Sequence, residues 1–268
     1  MRIGTTSFIY PGSWLHNVRR LGPDFDDLEI LFFEADGEGA FPPLEERRAL
    51  LGCKREFSLT YSLHTPLSAS LASADAVRRR AGVESVLRAI DAAATFEPEN
   101  VVVHVYHGDG EHVSVRPTDL GAWRERAAES LAAVVRGGVP AARLCVELLD
   151  YDFALIEPVV AELGLSIALD VGHLVRDGLD ELAVLSRLLP RTRIVQWHGT
   201  DPEGRDHRSL DHYPEPRARA LLGALRDAAY DGVLTLEVFR EADLASSRRA
   251  LARWLAESSP AWSIGGTA

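Results

Sequence analysis

Eight times along this chain a short apolar run gives way to a stretch of helical periodicity, and that alternation constrains the fold more than any other feature. The runs cover residues 2–7, 27–33, 57–63, 100–106, 143–148, 166–170, 193–197 and 232–239. Helical patterns cover 14–21, a segment from Leu44, then 74–96, 118–136, 153–163, 177–189, 217–230 and 243–256. Eight βα units in 268 residues predict a (β/α)8 TIM barrel, an α/β fold. A doubly wound open sheet is the runner-up. It calls for a glycine-rich phosphate loop after an early strand, and no GxGxxG or Walker-type sequence is present. The expected organisation is one barrel domain over 1–257 and a mobile tail over 258–268, which carries Pro260 and Gly265-Gly266.

Composition narrows the partners. The 40 acidic residues outnumber the 29 basic ones, giving a net charge of −11, the wrong field for neutralising duplex phosphates. No nucleic-acid partner is expected. Cys53 and Cys145 form no CxxC pair, so neither a disulfide framework nor a thiolate metal site is indicated, and a reducing cytoplasm fits. The first apolar run reads as a strand rather than a leader core. No run approaches the roughly 20 residues that span a bilayer, so no membrane association is expected.

The chemistry lies where the strands end, on the face of such barrels that carries catalysis. Ser166 to Leu169 is apolar or small and runs into Asp170, Gly172 and His173, a turn that exposes two ligand types three residues apart. The other runs end in the same manner, giving Glu34, His64, His104, Glu147, His198 and Glu237. A lone strand-end histidine is usually a packing residue, and a lone acidic one is usually a helix cap. Repetition at one topological position argues for a shared coordination pocket instead. The loop after the seventh strand adds Arg205, Asp206, His207 and Arg208, whose arginines could clamp a phosphate or pair at the surface. His107 and His112 read as solvated or substrate-facing, and His16 and His212 as surface residues. Nitrogen and oxygen ligands without thiolate suit zinc, with manganese or iron as alternatives. Several carboxylates can bridge two ions about 4 Å apart, as phosphate-ester hydrolases require.

The ligand order resembles the superfamily that groups type IV apurinic endonucleases with sugar phosphate isomerases, over about the whole chain. More narrowly, five segments resemble the cobamide-remodelling phosphodiesterases, the CbiR family. They are Gly4 to Pro11, Leu31 to Glu34, Tyr61 to Pro66, Leu169 to Leu174 and Gly204 to Leu210. The resemblance implies hydrolysis of the nucleotide-loop phosphodiester of a corrinoid, a small-molecule substrate, by two or three divalent ions. It implies a first ion on His64, His104 and Glu147, and a second on Asp170, His198 and Glu237, with Glu147 bridging. A third falls to His173, Asp206 and His207. Glu147 and Glu237 are the carboxylates expected to act in catalysis. One departure stands out: Asp206 and His207 are adjacent, whereas the endonuclease pattern spaces them by one residue, and neighbouring side chains diverge in an extended loop. Tyr10, Trp14, Tyr61 and Tyr106 could offer apolar surface to a corrin ring, with Glu34 beside them, or could be core aromatics.

Two other function classes stay open. A sugar or inositol isomerase would hold one ion on Glu147, Asp170, His198 and Glu237 and leave the remaining histidines without a common purpose. A corrinoid-binding module would perform no chemistry. DNA repair is a third candidate, opposed by the charge.

Overall fold

The computed structural model describes residues 1–34, 37, 39–106, 119–149 and 151–258. Its strands are β1 (Arg2–Thr6), β2 (Asp27–Leu31), β3 (Thr60–His64), β4 (Asn100–Val103), β5 (Leu144–Glu147), β6 (Ser166–Asp170), β7 (Thr192–Trp197) and β8 (Val233–Leu236). They follow one another in sequence order around a closed barrel. The helices are α1 (Trp14–Leu21), α2 (Leu44–Glu56), α3 (Ala76–Ala93), α4 (Leu120–Arg136), α5 (Glu157–Glu162), α6 (Val171–Arg176), α7 (Glu181–Leu188), α8 (Glu215–Asp227) and α9 (Glu241–Ser258). Among the described residues no helix is long and apolar enough to cross a membrane.

The chain divides into two compact units. One comprises Met1–Ile30, Gly52–Thr60 and the chain from Leu169 onward. In it β1 pairs in parallel with β2, Gly4 lying opposite Asp27, and with β8, Ile3 lying opposite Leu234. β8 in turn pairs with β7, with Gln196 opposite Thr235. The alternation along β7 separates two environments. Gln196 donates to the buried Glu29 carboxylate at 3.3 Å. Trp197 packs edge-on against Tyr213 at 5.2 Å and, with the rings tilted by 32°, against Trp254 of α9 at 5.6 Å. The other unit comprises Leu31–Leu51 and Tyr61–Ala168, in which β3, β4, β5 and the start of β6 pair in parallel.

Several strands are shorter than the apolar runs that predict them, for local reasons. Ser58 takes a left-handed φ of 57°, so β3 begins at Thr60 rather than at Phe57. β2 stops at Leu31, which leaves Glu34 beyond it as an exposed residue. β4 and β8 release the chain one residue before His104 and Glu237.

The helix expected over 177–189 is α7, which starts at Glu181, and a further short helix, α6, precedes it outside the expected range. α6 starts directly after β6, with Asp170 as its N-cap accepting from the His173 amide, and Gly178 at φ 70° separates it from α7. The segment 153–163 is a 3-10 turn followed by the short α5, which opens with Pro158 in its first turn. α8 begins at Glu215, inside the expected loop. Asp119 caps α4, and Gly137 and Gly138 end it. The polar loop 107–117, with His107 and His112, and the tail residues 259–268 lie outside the described residues.

Candidate metal centres

Three consecutive strand ends build the first ligand set. His64 closes β3, His104 follows β4, and Glu147 closes β5. All three side chains are buried. His64 Nε2 and His104 Nε2 approach the same oxygen, Glu147 Oε2, at 3.1 and 2.9 Å. The two rings meet edge-on at 4.8 Å.

The outer nitrogens are anchored. His64 Nδ1 donates to the carbonyl of Thr65 at 3.0 Å, and the Thr65 hydroxyl donates to Val102 O at 2.8 Å. His104 Nδ1 is hydrogen-bonded to the Tyr106 hydroxyl, while Tyr106 O accepts from Trp123 Nε1 at 3.0 Å. Anchors of this kind fix which ring nitrogen faces a cation. Burial works to raise the Glu147 carboxyl, but the charge and hydrogen bonds of His104 and His64 hold it well below the usual carboxylate range. With both Nε2 atoms turned on one ionised oxygen, a divalent cation can replace the protons they share. The donor set, two imidazoles and a carboxylate, suits zinc and leaves room for a further ligand.

The second set lies at the ends of β6, β7 and β8. Asp170, His198 and Glu237 bring their ligand atoms within 4.8 Å of one another, and so do His173, His198 and His207. His198 Nε2 stands 3.3 Å from Asp170 Oδ1, and His173 Nδ1 stands 3.1 Å from Asp170 Oδ2. Yet Asp170 Oδ2, His173 Nδ1 and His198 Nε2 are buried without a hydrogen bond of acceptable geometry. Leaving such groups unsatisfied costs about 1–3 kcal/mol each. A cation is the partner that satisfies several at once.

The electrostatics agree. Against the cost of burial, His173 and His198 hold Asp170 far below its usual range. Burial opposes charge on His198, but Asp170 raises it on balance. His207 is pushed down to about 4 by burial and by the charge of His198. It is therefore neutral near pH 7, with a lone pair to give.

Two backbone features position this set. A Cβ on Gly172 would lie well inside van der Waals contact with the His198 ring, so glycine in α6 makes the space that the ring fills. The sequence reading assigned Gly172 to a sharp turn instead. His207 has φ 51°, a left-handed conformation uncommon outside glycine. It turns the ring back onto His198, centroids 4.2 Å apart, with Phe239 at 5.0 Å. The loop is not extended at this point, so adjacency does not splay His207 away. Asp206 Oδ2 stands 3.8 Å from His173 Nε2.

The residues expected to meet substrate fare differently. Tyr61 is a core residue, fully buried, with its hydroxyl donating to Leu50 O at 2.8 Å and its ring edge-on to Phe96. Tyr106 is buried and positions His104. The Tyr10 ring is half-buried and covered by the Arg20 guanidinium at 3.7 Å, and Trp14 is half-buried in α1. Arg205 donates to Asp201 Oδ2 at 2.7 Å and to Glu203 at 2.9 Å. Arg208 Nε lies 3.3 Å from the same Asp201 oxygen, with its Nη1 3.7 Å from Asp243. Arg205 thus holds its own loop on Asp201 by hydrogen bonds, and Arg208 lies beside the same carboxylate as an ion pair. His16 and His212 are exposed, as expected.

Glu29, a wholly buried carboxylate on β2, is absent from the sequence-derived set, which takes Glu34 from that strand. The available signal is the alternation of Asp27 and Glu29 on one strand face. Phe8 and Phe33, 51% and 36% exposed, follow β1 and β2 and are aromatic surface that the sequence reading does not single out.

A family model described as a xylose isomerase-like TIM barrel matches residues 15–258. No curated protein gives a significant match. Among solved structures, a D-tagatose 3-epimerase-like protein superposes with a TM-score of 0.77 at 20% identity, covering 96% of this chain and 98% of its own. Endonuclease IV from Thermus thermophilus superposes with a TM-score of 0.70 at 23% identity, covering 96% and 100%. The 3-keto-D-glucoside 4-epimerase YcjR from E. coli gives 0.69 at 18% identity, covering 96% and 99%. At these identities the likeness establishes the fold.

Proposed function

The chain belongs to the xylose isomerase-like TIM barrel family, and from that premise we propose that it is a metal-dependent phosphodiesterase, hydrolysing the nucleotide-loop phosphodiester of cobamides. One observation carries the phosphodiesterase reading: among the described residues His64, His104 and Glu147 form one candidate ligand set and Asp170, His198 and Glu237 another, with no residue in common, so each can hold an ion without the other. Bound divalent ions would lower the pKa of a water and neutralise charge on the phosphate. His64, His104 and Glu147 would hold one ion, with Thr65 and Tyr106 keeping the two rings in register. Asp170, His198 and Glu237 would hold another. Glu147 and Glu237 are the carboxylates we assign to the reaction, each able to accept a hydrogen bond from an attacking water. The cobamide assignment draws on the segment resemblance described above. A net charge of −11 favours a small substrate over DNA, and Phe8 and Phe33 supply apolar surface beside their strands.

A second reading, sugar epimerase or isomerase, is favoured by the names of several structural neighbours. It gives the buried pair His64 and His104 no task. The experiment is to incubate zinc-loaded protein with a complete cobamide and resolve the products by chromatography. A cobinamide product, abolished in Glu237→Gln, is expected. Intact cobamide together with epimerisation of a ketose would replace this reading with the second one.

A further inference from the structure

Arg176 is the last residue of α6, and Asp177 holds its guanidinium in a two-point fork. Nε donates to Asp177 Oδ1 at 2.7 Å and Nη2 to Oδ2 at 3.1 Å. The remaining terminal nitrogen, Nη1, donates to Asp206 Oδ2 at 2.9 Å. That is the oxygen which stands 3.8 Å from His173 Nε2, and the His173 ring lies 5.6 Å from the His207 ring. The carboxylate that would complete a cation site with these two imidazoles is therefore already paired with a cation of the protein, which it shares with Asp177.

We propose that Arg176 stands in for a third divalent ion, so that the chain binds two ions and fills the third position with a guanidinium. The inference builds on the two-ion reading above. A guanidinium keeps its charge at every working pH and matches carboxylate geometry through paired donors. A divalent ion at His173 and His207 would have to displace it from Asp206 and then remain beside it. Holding the fork on Asp177 keeps the positive charge in place after such a displacement. One unit charge beside a divalent ion changes its affinity about tenfold even at the dielectric constant of water.

The test is metal counting in chelator-stripped protein reloaded with zinc and passed through a desalting column, with elemental analysis of the protein fraction. Wild type is expected to retain two ions, Arg176→Met three, and Arg176→Lys two, because lysine keeps the charge. Adding Asp206→Asn to Arg176→Met is expected to return the count to two. Calorimetric titration should show the extra ion binding at least about tenfold more tightly in Arg176→Met than in wild type. Arg176→Gln, which keeps polar packing, serves if the methionine variant melts early. Equal counts and affinities in wild type and both neutral variants would overturn the assignment. The absolute wild-type count bears on the other question: a single ion would overturn the two-ion reading, while the difference between variants still decides the role of Arg176.

Discussion

Gly172 and His198 make one unit at the level of single residues, since the ring occupies the volume in which any other side chain at 172 would begin. Gly172→Ala is expected to leave the fold intact and to push His198 Nε2 off its line to Asp170. Binding of the ion on the second set should weaken by at least about tenfold, the lower end for losses of ligand positioning, with the ion on the first set unchanged. Titration of the stripped protein with zinc, followed by calorimetry, resolves the two. An affinity at the second set unchanged from wild type would remove the glycine from this role.

The strand-end histidines and acids that the structure gathers into candidate ligand sets were legible in the sequence, because such a residue interrupting an apolar run at its end has few structural reasons to be there. Glu29 was not, because it lies within the run, where a charge is read as the solvent face of a strand. The disposition of His207 was equally hidden. No residue type near it announces a left-handed backbone, and adjacency to Asp206 argued for divergence.

Between elements, α7 and α8 are tied by a buried carboxylate. Glu181, the first residue of α7, accepts from Arg217 Nε of α8 at 2.7 Å and from the Tyr213 hydroxyl at 3.1 Å. Burial works to raise its carboxyl, but the hydrogen bonds of Arg217 and Tyr213 keep it below its usual value. A carboxyl depressed in the folded state contributes stability above the unfolded value, which is lost as pH falls through the folded one. Arg217→Met is therefore expected to cost about 2 kcal/mol at pH 7, because it strips a buried carboxylate of its cation. The difference from wild type should shrink at a pH acid enough to protonate the carboxyl in the folded state. Urea unfolding at the two pH values measures it, and a pH-independent difference would assign the loss to packing.

The same region marks how far periodicity reaches. It located helical chain after β6, but a helix of six residues that begins on the strand's last carboxylate has no apolar stripe long enough to register. Gly178 fell inside the expected helix, whereas its left-handed φ places it between α6 and α7. In α1 and α4, by contrast, Ser13 and Asp119 cap the first turn, and the expected and observed bounds agree closely.

At the scale of the molecule, carboxylates and imidazoles buried at strand ends are expected to make stability depend on cations. A ligand that binds only the folded state, present at 100 times its Kd, adds about 2.7 kcal/mol. For a chain of this size one such ion corresponds to a rise in Tm of about 5–10 °C. Chelation by EDTA is expected to lower Tm by at least that much, with recovery on adding zinc but not magnesium, whose preference is for oxygen ligands. An unchanged melting curve would mean that the buried clusters are satisfied without metal.

The backbone of His207 adds a tension of its own. Its left-handed φ is strain of order 1 kcal/mol that a glycine would not carry. A library screened only for heat resistance would thus enrich glycine at this codon, and the survivors would have given up an imidazole beside His198. Hardening the scaffold and keeping its chemistry therefore pull in opposite directions there.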